Sequence, residues 1–231
     1  MAVSGSTNFS LNANQIIEKA FHRLGKASEG EAVSARMYED GRSSLNLVLK
    51  SKLGTSDRLF LRTEGSVALV SGQESYNALT TAIRVQSVRR RSSDGRDVPL
   101  QELSRQEYFD LPNKTTSPSI PVNWYFDPQV SGGVLYVWPA PSSDAASAYS
   151  LKTTYLRRID DMDSTTDDLD MPQEWLDPAI WLLADDLETE YPVNDPRLAA
   201  KIERKAAEAK QILDYFDTEG TSLYMQPDLQ C

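Results

Sequence analysis

The chain has 231 residues, 40% of them hydrophobic, which is enough apolar material to close a core and excludes a wholly disordered polypeptide. Its formal net charge of −10 argues against a primary role as a DNA binder, because phosphate contacts need clustered Lys and Arg. The single cysteine, Cys231, excludes an intramolecular disulfide and a thiolate metal cage. No stretch approaches the roughly 20 apolar residues that span a bilayer, so we expect a soluble protein made in a reducing cytoplasm.

Two helices are predicted near the beginning of the chain. The first covers residues 12–24, where apolar side chains recur at helical spacing and Asn12 with Gln15 has the spacing of a capping box. The second covers residues 34–53. Its interior glycine, Gly41, should cost this helix about 1 kcal/mol relative to alanine.

The periodicity changes at about residue 58, where short β-branched and aromatic runs bounded by Gly, Ser and Asp predict strands. These runs begin at Leu59, Val67, Ile83 and Tyr149. Asp94-Gly95 predicts a hairpin turn, since such turns need the positive φ that these residues supply. A second hairpin is predicted from residues 122–126 and 134–138, with a short helix over 104–109 before it. The middle of the chain is therefore predicted to be a β-rich insertion.

Helical periodicity returns over residues 174–191 and again after Asp195-Pro196, an N-cap followed by proline at the first helical position. This last helix should extend to Gly220. Beyond it the chain loses periodicity and is predicted to be an extended arm. The apolar residues of the arm are Leu223, Tyr224, Met225 and Pro227. Aromatic and Met residues are enriched at protein interfaces, so we expect a partner surface to cover them.

These elements predict an α+β protein. Its fold is expected to be an antiparallel helical bundle of two N-terminal and two C-terminal long helices, with a β-rich insertion and a C-terminal arm. The insertion would be a small barrel or a sandwich. The predicted boundaries are 1–57 for the N-terminal helices, 58–160 for the insertion, 161–219 for the C-terminal helices and 220–231 for the arm.

The sequence contains few residues in patterns typical of catalysis. The only histidine, His22, lies inside the first helix beside Phe21 and Arg23, which suggests a surface or packing residue rather than part of a triad. No glycine-rich phosphate loop, nucleophile elbow or His cluster is present in the sequence. We therefore predict no catalytic residue and no cofactor. A pair of glycosidase carboxylates stays open, because the two acids need not be neighbours in the chain.

The acidic run over residues 160–170 has the composition of a calcium-binding loop, but its register is wrong. A loop starting at Asp161 puts Pro172 at the twelfth position, where a carboxylate is required. A loop starting at Asp163 puts Asp168 at the sixth position, where the turn needs glycine. We predict a solvated loop and no metal site.

The triplet Arg89, Arg90 and Arg91 is the one concentrated basic site. It could face DNA in a channel or pair with acidic neighbours, and the sequence favours neither. Alternation along a strand would send Arg89 and Arg91 to one face and Arg90 to the other. At most two of them can therefore serve one phosphate path in each subunit.

Five short motifs occur in an informative order. The first helix ends Ala20-Phe-His-Arg-Leu-Gly25, and the second helix carries a Leu45-Asn46 pair. The middle contains Tyr-Phe-Asp-Leu-Pro at 108–112 and Trp-Tyr-Phe at 124–126, and the helix over 178–184 follows. In this order, from about residue 12 to residue 216, they resemble the head-to-tail adaptor family of bacteriophages. These are the portal-docking connector or neck proteins, including those of short-tailed phages.

The resemblance implies a structural virion protein and not an enzyme. Such a protein forms a homo-oligomeric ring, a dodecamer to match the portal, in the neck between capsid and tail. It extends the DNA channel and provides the docking platform for the tail. The implied partners are the portal protein, a tail or nozzle protein and the genomic DNA passing through the channel.

In this interpretation the arm with Leu223, Tyr224, Met225 and Pro227 reaches the portal, the β-rich insertion faces the tail, and Arg89–Arg91 are possible DNA contacts. Two alternatives stay open. One is a virion-associated cell-wall lytic glycosidase, for which the abundance of carboxylates is the only support. The other is a nucleic-acid-binding protein that uses Arg89–Arg91, against which the acidic balance argues.

Overall fold

The computed structural model of the protein describes residues 5, 9–27, 32–53, 58–115, 118–130, 132–164 and 166–216. The predicted arm and Cys231 lie outside these residues. The chain divides into two compact units, Met1–Leu59 with Asp160–Cys231 and Phe60–Ile159. None of the described helices is long and apolar enough to cross a membrane.

The fold is α+β. Within the described residues the six α-helices are α1 (Ala13–Arg23), α2 (Ala35–Val48), α3 (Arg105–Asp110), α4 (Ser143–Ala148), α5 (Leu176–Leu187) and α6 (Pro196–Phe216). The strands described are β1 (Arg62–Ala68), β2 (Ser75–Leu79), β3 (Ala82–Ser92), β4 (Asp97–Pro99), β5 (Gln101–Glu102), β6 (Asn123–Gln129), β7 (Gly132–Trp138) and β8 (Tyr149–Arg157). A π-helical turn, Leu49–Leu53, extends α2, and a 3-10 turn, Gln173–Trp175, precedes α5.

The first unit is built around α5, which packs against α1, α2 and α6. Most of α5 is buried, whereas α6 buries a single stripe of side chains. The predicted cap of α1 is confirmed: the Asn12 side chain accepts a hydrogen bond from the Gln15 amide at 2.9 Å, and the Gln15 side chain accepts one from the Asn12 amide at 3.1 Å. The predicted cap of α6 is also present, since the Asp195 carboxylate accepts a hydrogen bond from the Arg197 amide at 2.9 Å.

Gly41 explains how closely α1 and α2 approach each other. A Cβ added at this residue would lie 2.6 Å from Cγ2 of Ile17 and 3.4 Å from Cε2 of Phe21. The predicted cost of a glycine inside a helix is therefore offset by tight packing between two helices.

The second unit contains two four-stranded sheets, in the orders β1-β8-β3-β4 and β2-β7-β6-β5. Side chains from both sheets form one core, which includes Val88, Trp124, Leu135, Val137 and Leu151. Two sheets that share a core form a sandwich. The insertion was predicted to be a small barrel or a sandwich, and the described residues form no closed barrel.

The predicted hairpin at Asp94-Gly95 is confirmed, because this turn joins β3 to β4. Of its two residues only Gly95 has positive φ, at +86°, so the positive φ expected at Asp94 is not present. The hairpin of β6 and β7 and the short helix α3 are present as predicted. The predicted strand at Leu59 is wrong: Leu59–Leu61 is a 3-10 turn. Three consecutive apolar residues carry no alternation that would distinguish a strand from a buried turn.

Candidate functional site

The arginine triplet lies on β3, in the second unit. Arg89 donates to Oε1 of Glu64 at 2.6 Å and to Oγ1 of Thr154 at 3.3 Å. Arg91 donates two hydrogen bonds to the carboxylate of Asp97, both at 2.6 Å. These hydrogen bonds hold the pKa of Asp97 below its usual value and raise that of Arg91. Both arginines are therefore engaged with carboxylates of their own sheet.

Arg90 lies on the opposite face of the same strand, as the alternation of side chains requires. Its guanidinium donates to the backbone oxygen of Pro121 at 2.8 Å and stacks over the ring of Tyr149 at 4.9 Å. Arg90 thus bridges parts of the second unit, while Arg89 and Arg91 remain partly exposed on the outside, with 31% and 39% of their side chains accessible. Arg89 and Arg91 therefore share the face of the sheet opposite to Arg90.

An aromatic cluster covers the outer side of the hairpin of β6 and β7. The rings of Tyr108, Tyr125 and Tyr136 have centroids 5.0 to 5.8 Å apart. Phe109 extends the cluster to the surface, where it is 52% exposed, and Arg105 and Lys114 lie over its ring at 5.6 and 5.7 Å. Burial raises the pKa of Tyr108 to about 12. Exposed aromatic rings beside cations are typical of protein interfaces, so this cluster is a candidate partner surface.

The residues considered for catalysis or metal binding have structural contacts. His22 is exposed on α1, and its Nδ1 lies 2.9 Å from the backbone oxygen of Ala27, to which it donates when protonated. The acidic run belongs to the first unit, where Asn46 makes two hydrogen bonds to the backbone of Met162. The described residues contain no group of three or more His, Cys, Asp or Glu side chains that could hold a metal ion.

Carboxylates with altered pKa values bear on the glycosidase alternative. In the described part of the chain, the carboxylates whose pKa is shifted are Asp94, Asp97, Glu107 and Glu208. Each has its pKa lowered, chiefly by hydrogen bonds from neighbouring groups. A glycosidase general acid needs a raised pKa, so none of these four suits that role.

Arg58 has a structural role that sequence reasoning missed. Its side chain is 3% exposed; it donates to the backbone oxygen of Leu213 at 3.2 Å and to Asp214 at 3.1 Å, and it lies 5.1 Å over the ring of Trp175. A cation at a helix C-terminus satisfies carbonyls that lack helical partners. Arg58 and Asp214 are 156 residues apart in the chain, and no local signal connects them.

Comparison with known proteins identifies one family. A family model described as SU10 adaptor protein matches residues 12–227, and the match runs through both units of the structure. A comparison with curated proteins finds no match. The arm residues Leu223, Tyr224, Met225 and Pro227 fall inside the matched range but outside the described residues.

Proposed function

The chain belongs to the SU10 adaptor protein family, and from this premise we propose that it forms a ring beneath the portal of a tailed bacteriophage. As a phage adaptor it has a structural role in the virion. The proposed ring extends the DNA channel and provides the platform on which the tail docks, without turnover chemistry. In this proposal the arm reaches the portal and the β-rich unit faces the tail.

The observation that carries the proposal is the length of the family match, which includes the helices of the first unit and the sheets of the second. The aromatic cluster around Phe109 supports it, because an exposed ring beside two cations is suited to a protein partner. The dodecameric copy number follows from the expected symmetry of the portal.

The test is assembly of the full chain on portal rings from the same phage. We expect electron microscopy to show a second ring on the portal, and native mass spectrometry to give one adaptor chain for each portal chain. Portal rings that stay bare at micromolar adaptor would refute the proposal.

A variant of the arm tests the site of portal contact. We expect Leu223→Ala combined with Tyr224→Ala and Met225→Ala to weaken portal binding at least tenfold, since apolar anchors dominate interface energies. The matched control changes two polar residues of the same arm, Gln226→Ala and Asp228→Ala, and should bind as the wild type does. Equal loss from both variants, or from neither, would contradict a role for the apolar residues.

The DNA contacts proposed for the arginines concern Arg89 and Arg91, which share an outer face of their sheet with Lys152. DNA would have to compete with Glu64 and Asp97 for them. Assembled rings carrying Arg89→Ala and Arg91→Ala should therefore bind DNA with a shallower salt dependence than wild-type rings. An unchanged dependence of DNA affinity on salt would contradict contacts between these arginines and DNA.

A further inference from the structure

Arg58 differs from the other charged residues that the structure describes, because its side chain is buried. It is 3% exposed, and in the described part of the chain no other charged residue is buried. Taking a cation out of water costs free energy, which an ion pair offsets only when the geometry is good. Once the cation is buried, breaking its contacts leaves an uncompensated charge, so such a residue is suited to holding one fixed arrangement.

The contacts of Arg58 lie at the end of α6. Its guanidinium donates to the backbone oxygen of Leu213 at 3.2 Å and to Oδ1 of Asp214 at 3.1 Å, and both residues belong to the last turn of this helix, which ends at Phe216. The same guanidinium lies 5.1 Å over the ring of Trp175, which is 4% exposed and directly precedes α5. Arg58 therefore ties the last turn of α6 to the beginning of α5.

Side-chain packing supports this turn less than the rest of α6. Leu213 is the last side chain of the helix that is buried among those described, and Asp214 and Tyr215 after it are exposed. An open cavity of about 480 Å³ lies beside the turn, and its lining includes Arg58, Leu182 and Leu213. A helix end with few buried contacts opens more easily than the core, so the direction of this turn depends on the hydrogen bonds from Arg58.

We propose that Arg58 is the positioning residue of the arm, an inference that rests on the proposed contact between the arm and the portal. The apolar residues of the arm begin at Leu223, a short stretch of chain after Phe216. The effective concentration of a tethered binding segment at its target depends on the length and stiffness of the connection. By fixing the last turn of α6, Arg58 keeps the root of the arm in one direction and raises the effective concentration of the arm at the portal.

The experiment is a double-mutant cycle in the full chain between Arg58→Ala and the triple alanine variant of the arm. The dissociation constant of each protein from portal rings is measured, and circular dichroism shows which proteins are folded. Asn46→Ala is the matched control, because it removes hydrogen bonds of the same unit that go to Met162 instead of to α6.

Arg58→Lys is a second variant that keeps the cycle informative if Arg58→Ala does not fold. Lysine keeps the positive charge, but its single ammonium lacks the planar fork with which arginine reaches a backbone oxygen and a carboxylate together. It should weaken portal binding about threefold, and only when the arm is intact.

We expect Arg58→Ala to weaken portal binding about tenfold when the arm is intact, since only a fraction of the chains then presents the arm correctly. In the triple alanine variant the same change should weaken binding less than about twofold, because the contacts that Arg58 positions are already lost. Asn46→Ala should leave portal binding unchanged. In the free subunit, Arg58→Ala should speed hydrogen exchange at the amides of Leu213 and Asp214, and Asn46→Ala should not.

Equal losses from the Arg58 variants with and without an intact arm would overturn the inference, because a general loss of stability acts whether or not the arm binds. A comparable loss from Asn46→Ala would overturn it for the same reason. Binding of the triple alanine variant as tight as that of the wild type would overturn the inference and leave the proposed ring standing. Portal rings left bare by the wild type would refute the proposed function, and the inference with it.

Discussion

Gly41 lies where helix propensity and packing make opposite predictions. Propensity alone predicts that Gly41→Ala stabilises α2 by about 1 kcal/mol. The new Cβ would lie 2.6 Å from Cγ2 of Ile17, however, about 1 Å closer than the usual contact between carbon atoms. Ile17 is fully buried, and a β-branched side chain in a helix has one strongly preferred rotamer. Overpacking of this kind costs about 2–3 kcal/mol, so we expect a net loss of about 1–2 kcal/mol.

Urea unfolding of the full chain, followed by circular dichroism of the helices, measures this loss. Ser43→Ala is the matched control, because Ser43 is exposed on the same helix and should gain a few tenths of a kcal/mol from propensity alone. In an Ile17→Ala background the clash disappears, and Gly41→Ala should then stabilise the protein by about 1 kcal/mol. A stabilising effect of Gly41→Ala in the wild-type background would refute the close approach of α1 and α2.

Three further predictions concern contacts in the first unit. Arg58→Ala should lower the free energy of unfolding by about 2–3 kcal/mol, because it removes charge-assisted hydrogen bonds and a stacked cation. A loss below about 1 kcal/mol in urea unfolding would contradict these contacts of Arg58. Asn46→Ala should lower the free energy of unfolding by about 1–2 kcal/mol and speed hydrogen exchange at the Met162 amide. An unchanged exchange rate would contradict the two hydrogen bonds between Asn46 and the Met162 backbone. The hydrogen bond to Asp40 raises the pKa of Tyr191 from 10.0 to about 12. The stability that this hydrogen bond gives the folded protein is therefore complete below about pH 10 and is lost as the pH rises towards about 12. From pH 9 to pH 11 the free energy of unfolding should therefore decrease less for Tyr191→Phe than for the wild type. An equal decrease in both proteins would refute the stabilising hydrogen bond between Tyr191 and Asp40.

Local chemistry was enough to predict several elements. The Asn12 and Gln15 box, the Asp195 cap and the Asp94-Gly95 turn each act over three residues or fewer, and each is present in the structure. These signals work because the side chain that ends or turns the chain bonds to a backbone group close by. Tertiary packing does not need to be known.

Elements without such signals are not predicted or are predicted wrongly. The sequence pattern predicts neither the strand β2 nor the helix α4, and it predicts a strand at Leu59 where the structure has a 3-10 turn. Both β2 and α4 are short, six residues at most, and a window of that length holds too few apolar positions to establish a period. Their conformation depends on neighbours distant in sequence, such as the pairing of β2 with β7.

The same distinction holds for the functional surfaces. The period of a strand predicts that Arg89 and Arg91 share a face, but the partners of these arginines depend on the register of three strand pairs. Glu64 is 25 residues from Arg89 and became its neighbour only through β8, which lies between their strands. Whether a cation is paired or available therefore could not be read from the triplet itself.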